Sequence, residues 1–301
     1  MKHDARLEMA WDVLEGLSVG DALGEATSYN FYEVRDAIDK LQPGACTLRY
    51  TDDTEMASVV YDTLSQLKGI DEDYIAWSFA MRFRKDPDRG YGRMARRTLE
   101  EIYMGTSWKE VSPAAFGGGS FGNGAAMRVA PIGAYFYNDY TQVMMMAERS
   151  AKVTHYHPEG IAGAVAVALA TAEATKGRTL NDPDLIRTGI VESLKRLLPE
   201  GRTRSNFLHA ISRGFDAAPQ SVSRDVGNGS EISAQDTVPF CIWNAARMID
   251  NYEEAILSTI EVGGDCDTNC AIVGGIVSAY LGKYGIPEKW KEIREPLKVK
   301  I

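Results

Sequence analysis

Two short acidic runs hold the residues best suited to chemistry. Tyr50-Thr51-Asp52-Asp53-Thr54-Glu55 and Gly263-Gly264-Asp265-Cys266-Asp267-Thr268-Asn269 each stand where helical periodicity begins. Read singly, either run is explained by helix capping: a Thr or Asp side chain accepts from the orphan N–H groups of the first turn, and acids there meet the positive end of the helix dipole. The first run equally presents several oxygen ligands from one turn, the donor set that Mg2+ or Ca2+ takes. The second does not continue as an EF-hand, because Cys270 stands where the loop needs glycine and Ile276 where it needs glutamate. Nor does it look like a phosphotransfer aspartate, which would follow a buried strand, whereas Ala255 to Val262 reads as helix. If the two runs meet in space, four carboxylates share one site. Their mutual repulsion raises their pKa values, and a stable cluster then asks for cations; two doubly charged ions would balance it, with the Thr51 and Thr268 hydroxyls as neutral ligands.

The stretch Phe116 to Gly124 has five glycines in nine residues, giving up side-chain packing and backbone entropy. It is either a plain helix connection or a loop over which a ligand passes close to the backbone. Other candidates stay structural. His155 and His157 are joined by no cysteine or further histidine cluster, so a zinc site is not expected. Gly16, Gly20 and Gly24, spaced by four, suit close helix packing. Trp243 and Arg247 read as a packed pair on one helix face.

Helical periodicity positions these residues nearly everywhere. Leu7, Trp11, Leu14 and Leu17 share one face, as do Met56, Val59, Val60, Thr63, Leu64 and Leu67. Further helices are expected near 71–85, 91–104, 125–137, 139–153, 158–177, 183–198, 204–217, 236–250, 252–261, 268–283 and 287–294. Strand-type alternation is nearly absent, and the punctuation is Gly, Pro, Asn and Asp in short turns. The fold class is therefore all-α, with residues 1–301 forming one domain. Ser221 to Ser233 reads as a polar surface loop.

A formal net charge of −9 and a pI near 5.1 argue against a nucleic-acid partner, which usually calls for a basic footprint. The N-terminus mixes charges into its apolar positions, unlike a signal peptide. Gly160 to Ala172, the most apolar segment, falls short of the roughly 20 residues of a membrane helix and reads as a buried core helix. Four cysteines without paired spacing suit a reducing compartment. The expectation is a cytoplasmic monomer that touches neither nucleic acid nor membrane.

In these motifs the chain resembles the ADP-ribosylglycohydrolase family. Gly20-Asp21-Ala22-Leu23-Gly24 is similar to that family's N-terminal GDALG, the two acidic runs to its TDDT and GGDxDT turns, Gly122 to Pro131 to its GNGxAMRxxP loop, and Thr154-His155 to its substrate-contacting pair. All five come in the family's order. The resemblance implies a compact orthogonal bundle of many helices. It also implies that Thr51, Asp52, Asp53, Asp265, Asp267 and Thr268 ligate two Mg2+ ions, with Mn2+ also suited, and that Ser120, Phe121, Gly122, Asn123, Gly124 and His155 line an ADP-ribose cleft. The implied activity is hydrolysis of the bond between ADP-ribose and a modified protein side chain, arginine first. Serine-linked or small-molecule conjugates, a non-catalytic ADP-ribose binder resembling the lens-crystallin members, and a metal-dependent phosphoesterase are the alternatives. One departure stands out: the family's glutamate, four residues after GDALG, would fall at Ser28, and Glu25 is the nearby carboxylate. Glu25, Asp53 and Asp265 are the expected catalytic carboxylates. Asp21 is left open between supporting the site and ending a helix, and Cys266, where the family has threonine, is expected to point away from the metal.

Overall fold

The computed structural model describes residues 2–27, 34–44, 46–180 and 182–299. Among them are sixteen α-helices: α1 (His3–Thr27), α2 (Val34–Lys40), α3 (Asp52–Leu67), α4 (Glu72–Lys85), α5 (Arg93–Tyr103), α6 (Trp108–Ala114), α7 (Ala130–Tyr135), α8 (Tyr140–Lys152), α9 (Pro158–Gly177), α10 (Pro183–Leu197), α11 (Arg202–Ser212), α12 (Pro219–Val226), α13 (Ala234–Arg247), α14 (Tyr252–Ile260), α15 (Cys266–Leu281) and α16 (Glu288–Ile293). Extended pairing among the described residues is confined to isolated bridges, one of which, Gly122 with Ser233, is antiparallel. The fold is all-α, as the periodicity predicts.

The core is built around α9 and α15, whose apolar residues leave no polar face. Val167, Leu169, Ile272, Val273 and Ile276 are fully buried. Such a helix is driven inward on every side, which accounts for the apolar run at Gly160 to Ala172. No described helix is long and apolar enough to cross a membrane.

Helix α1 lies antiparallel against α15 at backbone distance. A Cβ at Gly20 would run into the carbonyl oxygen of Cys270, and one at Gly24 into that of Cys266. Gly16 meets Ser278 in the same way. Small residues at this spacing remove the side-chain ridge that normally holds helix axes about 8–10 Å apart. The end of α1 is thereby carried to the start of α15. Helix α3 also packs on α1, so its first turn arrives at the same place.

Three expectations change. The expected helix at 125–137 begins only at Ala130, because a short 3-10 turn at Asn123–Ala125 and a further turn carry the chain out of the glycine loop. The expected loop at Ser221 to Ser233 opens inside α12, where buried Val222 and Val226 supply an apolar stripe too short to read in sequence. Helices α2 and α6, seven residues each, were not anticipated, since two turns hold too few apolar repeats.

Candidate functional site

The first turns of α3 and α15 meet at the floor of a cleft of about 560 Å3, within the usual range for small-molecule sites. Asp52, Asp53, Asp265, Asp267 and Thr268 line it, together with Ser120, Phe121, Gly122, Asn123, Gly124 and His155. The acidic runs and the glycine loop are thus brought together.

The two turns are held differently. At α3, Thr51 is the N-cap: its hydroxyl accepts from the Asp53 N–H at 3.3 Å and donates to Asp53 Oδ2 at 3.0 Å. Asp21 grips the same turn from α1. Its carboxylate accepts from the Thr51 N–H and the Thr54 N–H, each at 3.0 Å, and from the Thr54 hydroxyl at 2.5 Å. That decides the role left open for Asp21: it fixes the acidic turn. At α15, by contrast, Asp265 sits at the N-cap position without capping its helix. Its Oδ2 accepts instead from Asn123 Nδ2 at 2.6 Å, and that same amide reaches the Thr237 hydroxyl at 3.0 Å. Capping therefore explains Thr51 but not Asp265.

Burial and mutual repulsion outweigh the positive charge at hand, the buried Arg128 guanidinium being attracted to Asp52. Burial, and next the charge of Asp267, pushes Asp52 and Asp53 well above the ordinary range. The same two causes, burial first, take Asp21 and Asp265 up to about 7. No lysine or arginine figures among the main influences on any of the four, and Asp53 Oδ1 is buried with no hydrogen-bond partner. Oxygen-only donors, a buried orphan lone pair and crowded negative charge fit a hard cation. Among the described residues no three His, Cys, Asp or Glu side chains close tightly enough to hold an ion as they stand.

His155 forms part of the opposite wall. Burial, with Arg128 adding to it, lowers its pKa to about 3, so the ring is neutral. Arg128 Nη2 donates to the Thr154 hydroxyl at 2.8 Å, and that hydroxyl lies 2.8 Å from His155 Nδ1. With Arg128 only a donor, the Thr154 proton is free to go to Nδ1, leaving Nε2–H as a donor toward the glycine loop. A Cβ at Gly124 would stand 3.0 Å from Nε2. Arg128 itself is fully buried, 4.3 Å over the Phe79 ring, and burial brings its pKa down to about 9. His157 is turned to another task, capping α9 by accepting from the Glu159 N–H. Trp243 and Arg247 pack as expected, with the guanidinium 5.9 Å from the ring centroid.

Two expected residues lie elsewhere. Thr51 does not line the cleft, its hydroxyl being engaged with Asp53. Glu25 is exposed on the last turn of α1 and does not line the cleft, although burial and then Asp267 raise its pKa. Ser28 lies outside the described residues. Cys266 is buried beside the α1 backbone, as expected of a residue facing away from the cleft. Unanticipated lining comes from Gly90, Gly92, Arg93 and Met94 at the start of α5, and from Phe116, Glu231 and Ile232. Phe116 and Ile232 are exposed and have φ of 52° and 53°, left-handed backbone that costs a bulky residue energy and that concentrates at functional sites. The Gly90-x-Gly92 pair was the one signal available in the sequence.

The comparisons agree with this geometry. The family model for ADP-ribosylglycohydrolase matches residues 2–299. The chain is 31% identical to human ADP-ribosylhydrolase ARH3 over 93% of its own length and 87% of that protein's. It is 24% identical to the ADP-ribosyl-[dinitrogen reductase] glycohydrolase of Rhodospirillum rubrum over 91% of its length and 86% of the relative's. A solved structure titled ADP-ribosylglycohydrolase-related protein complex superposes with a TM-score of 0.65 at 24% identity, covering 95% of this chain and 92% of that one. With a match of that extent to the family model, and a relative above 30% identity along nearly its whole length, the chain belongs to the ADP-ribosylglycohydrolase family.

Proposed function

We propose that the chain is a hydrolase of the bond between the distal ribose C1″ of ADP-ribose and an acceptor side chain, with the guanidinium of a modified arginine as acceptor. The observation that carries this is the meeting of four crowded carboxylates, Asp52, Asp53, Asp265 and Asp267, from two helix starts far apart in the chain, at the floor of a cleft walled by the glycine loop. Asp52, Asp53, Asp265, Asp267 and Thr268, with Thr51 behind them, would hold two Mg2+ or Mn2+ ions. Bound there, divalent ions supply Lewis acidity and a water of lowered pKa.

The chain's own residues do the rest. The pyrophosphate lies along the loop between Ser120 and Gly124; because the Gly122 N–H is already held by the Ser120 hydroxyl at 3.1 Å and the Asn123 N–H by the Ile232 carbonyl at 3.4 Å, the loop's other N–H groups are the ones it meets. His155 Nε2–H donates to a ligand oxygen without carrying charge. As positive charge develops at C1″ in an oxocarbenium-like transition state, the acidic floor stabilises it. Asp53 or Asp265 takes the proton from the attacking water. The acidic lining, to which Glu231 adds at the mouth, suits a cationic leaving group.

The test is thermal unfolding with excess ADP-ribose in Mg2+ and in EDTA. Ligand at about 100 times its Kd adds about 2.7 kcal/mol. Stabilisation dependent on Mg2+ is expected, followed by release of ADP-ribose from arginine-linked in preference to serine-linked peptide. An Asp265→Ala/Asp267→Ala double variant that kept full turnover would overturn the assignment, and failure of ADP-ribose to stabilise in either condition would remove the ligand.

A further inference from the structure

The turn that carries Asp52 is held from behind by a segment more than two hundred positions further along the chain. After α16 the chain runs beside residues 48–50: the Leu48 N–H donates to the Ile293 carbonyl at 2.7 Å, and the Glu295 N–H to the Leu48 carbonyl at 2.9 Å. The Glu295 carboxylate then accepts from the Tyr50 N–H at 3.1 Å and pairs with the Arg89 guanidinium. Arg89, nearly fully buried, donates to the Tyr50 carbonyl at 2.8 Å, and its own carbonyl accepts from the Asp52 N–H at 2.6 Å. With Asp21 on the Thr51 N–H and the Glu55 N–H on the Thr51 carbonyl, the peptide groups entering the acidic turn are each taken up by a partner.

Neither Glu295 nor Arg89 lines the cleft. Their placement is costly unless it fixes something, since a buried arginine must be matched by carboxylates, here Glu295 and Asp86 at 2.7 Å. We propose that Glu295 and Arg89 are positioning residues, which set the backbone of Tyr50 to Asp52 and so the place of the Asp52 carboxylate at the floor of the cleft. The proposal rests on the cation-binding reading above. It goes beyond it in assigning the geometry of the acidic turn to the tail of the chain.

The experiment compares Glu295→Ala, Glu295→Gln and Lys291→Ala with the wild-type full chain. Mg2+ alone is titrated, with the melting temperature read at each concentration and at zero metal. Lys291→Ala is the control: Lys291 lies on α16 just before the tail and pairs with Glu288, away from the turn, whereas the Lys298 ammonium reaches Glu55 and Asp86 and so belongs to the same network. Glu295→Gln keeps an oxygen for the Tyr50 N–H while removing the charge opposite Arg89. The expected result is a Mg2+ midpoint raised by about tenfold or more in Glu295→Ala, the scale seen when groups behind metal ligands are removed. A smaller rise is expected in Glu295→Gln and none in Lys291→Ala. Glu295 variants that melt lower by the same amount with and without Mg2+, at an unchanged midpoint, would show a merely structural role and overturn the proposal. A wild-type chain that does not respond to Mg2+ removes the cation reading itself, and the proposal with it, and is distinguished from the former result by the wild-type curve alone.

Discussion

Asp267→Asn should stabilise the protein in the absence of metal and abolish its response to metal. Asp21, Asp52, Asp53 and Asp265 all have raised pKa values, burial being the first cause and the charge of Asp267 the second in each. For Asp21 the rise is from 3.8 to about 7, and a difference of that size corresponds to about 4 kcal/mol between low and high pH. An acid whose folded pKa is raised holds its proton longer when folded. Its contribution is therefore fully present below about pH 4 and is lost as pH rises through about 7. In EDTA the melting temperature should fall from pH 5 to pH 8. Assigning less than half of the Asp21 effect to Asp267 makes the neutral variant more stable at pH 8 by on the order of 1–2 kcal/mol, roughly 2–4 °C for a chain of this size. Excess Mg2+ should reverse the wild-type slope, because ions bind the deprotonated carboxylates. Melting curves in EDTA and in Mg2+ at both pH values decide the matter. A wild-type melting temperature in EDTA that is flat or rises with pH, or an Asp267→Asn variant less stable at pH 8, would refute the claim that these carboxylates repel one another.

Three other substitutions probe separate parts of the site. Asp21→Ala leaves the buried Thr51 and Thr54 N–H groups without their acceptor and should lower stability by about 1–3 kcal/mol for each, less the repulsion it relieves, as read by denaturant unfolding. Gly124→Ala sets a Cβ 2.9 Å from His155 Cε1; ADP-ribose affinity should fall by about tenfold, or about 1.4 kcal/mol, in calorimetric titration, with little change in the ligand-free melting temperature. Asn123→Ala removes the donor to Asp265 and should weaken Mg2+ binding by about tenfold, with a titration midpoint equal to wild type counting against a supporting role.

Much of the site was legible because its chemistry is carried by local patterns. Paired aspartates at a helix start also read as caps and the glycine stretch as a plain connection, so it was their joint occurrence in the family's order that singled them out; both line the cleft. What escaped is what depends on distance in space. Arg89 and Glu295 are ordinary charged residues in sequence, and the role left open for Asp21 is settled only by the packing of α1 against the Thr51 turn, as that of the tail residues is by the packing of the tail. Glu25 looked suitable because it follows the GDALG run, but the helix turns it out to an exposed position. Helix α12 was hidden by its Ser, Gln, Arg and Asp, which mask two buried valines. The strained Phe116 and Ile232 had no signal, since a left-handed backbone at a bulky residue runs against every local preference.

The glycine-lined contact between α1 and α15 also fixes when the site can exist. Its two acidic halves lie more than two hundred positions apart in sequence, and the segment bearing Glu295 lies further along still. Such long-range contacts close large loops and form late. Until the segment around Glu295 has docked, the first aspartates stand without the backbone hold that sets them, so the acidic floor is complete only once segments more than two hundred positions apart have come together.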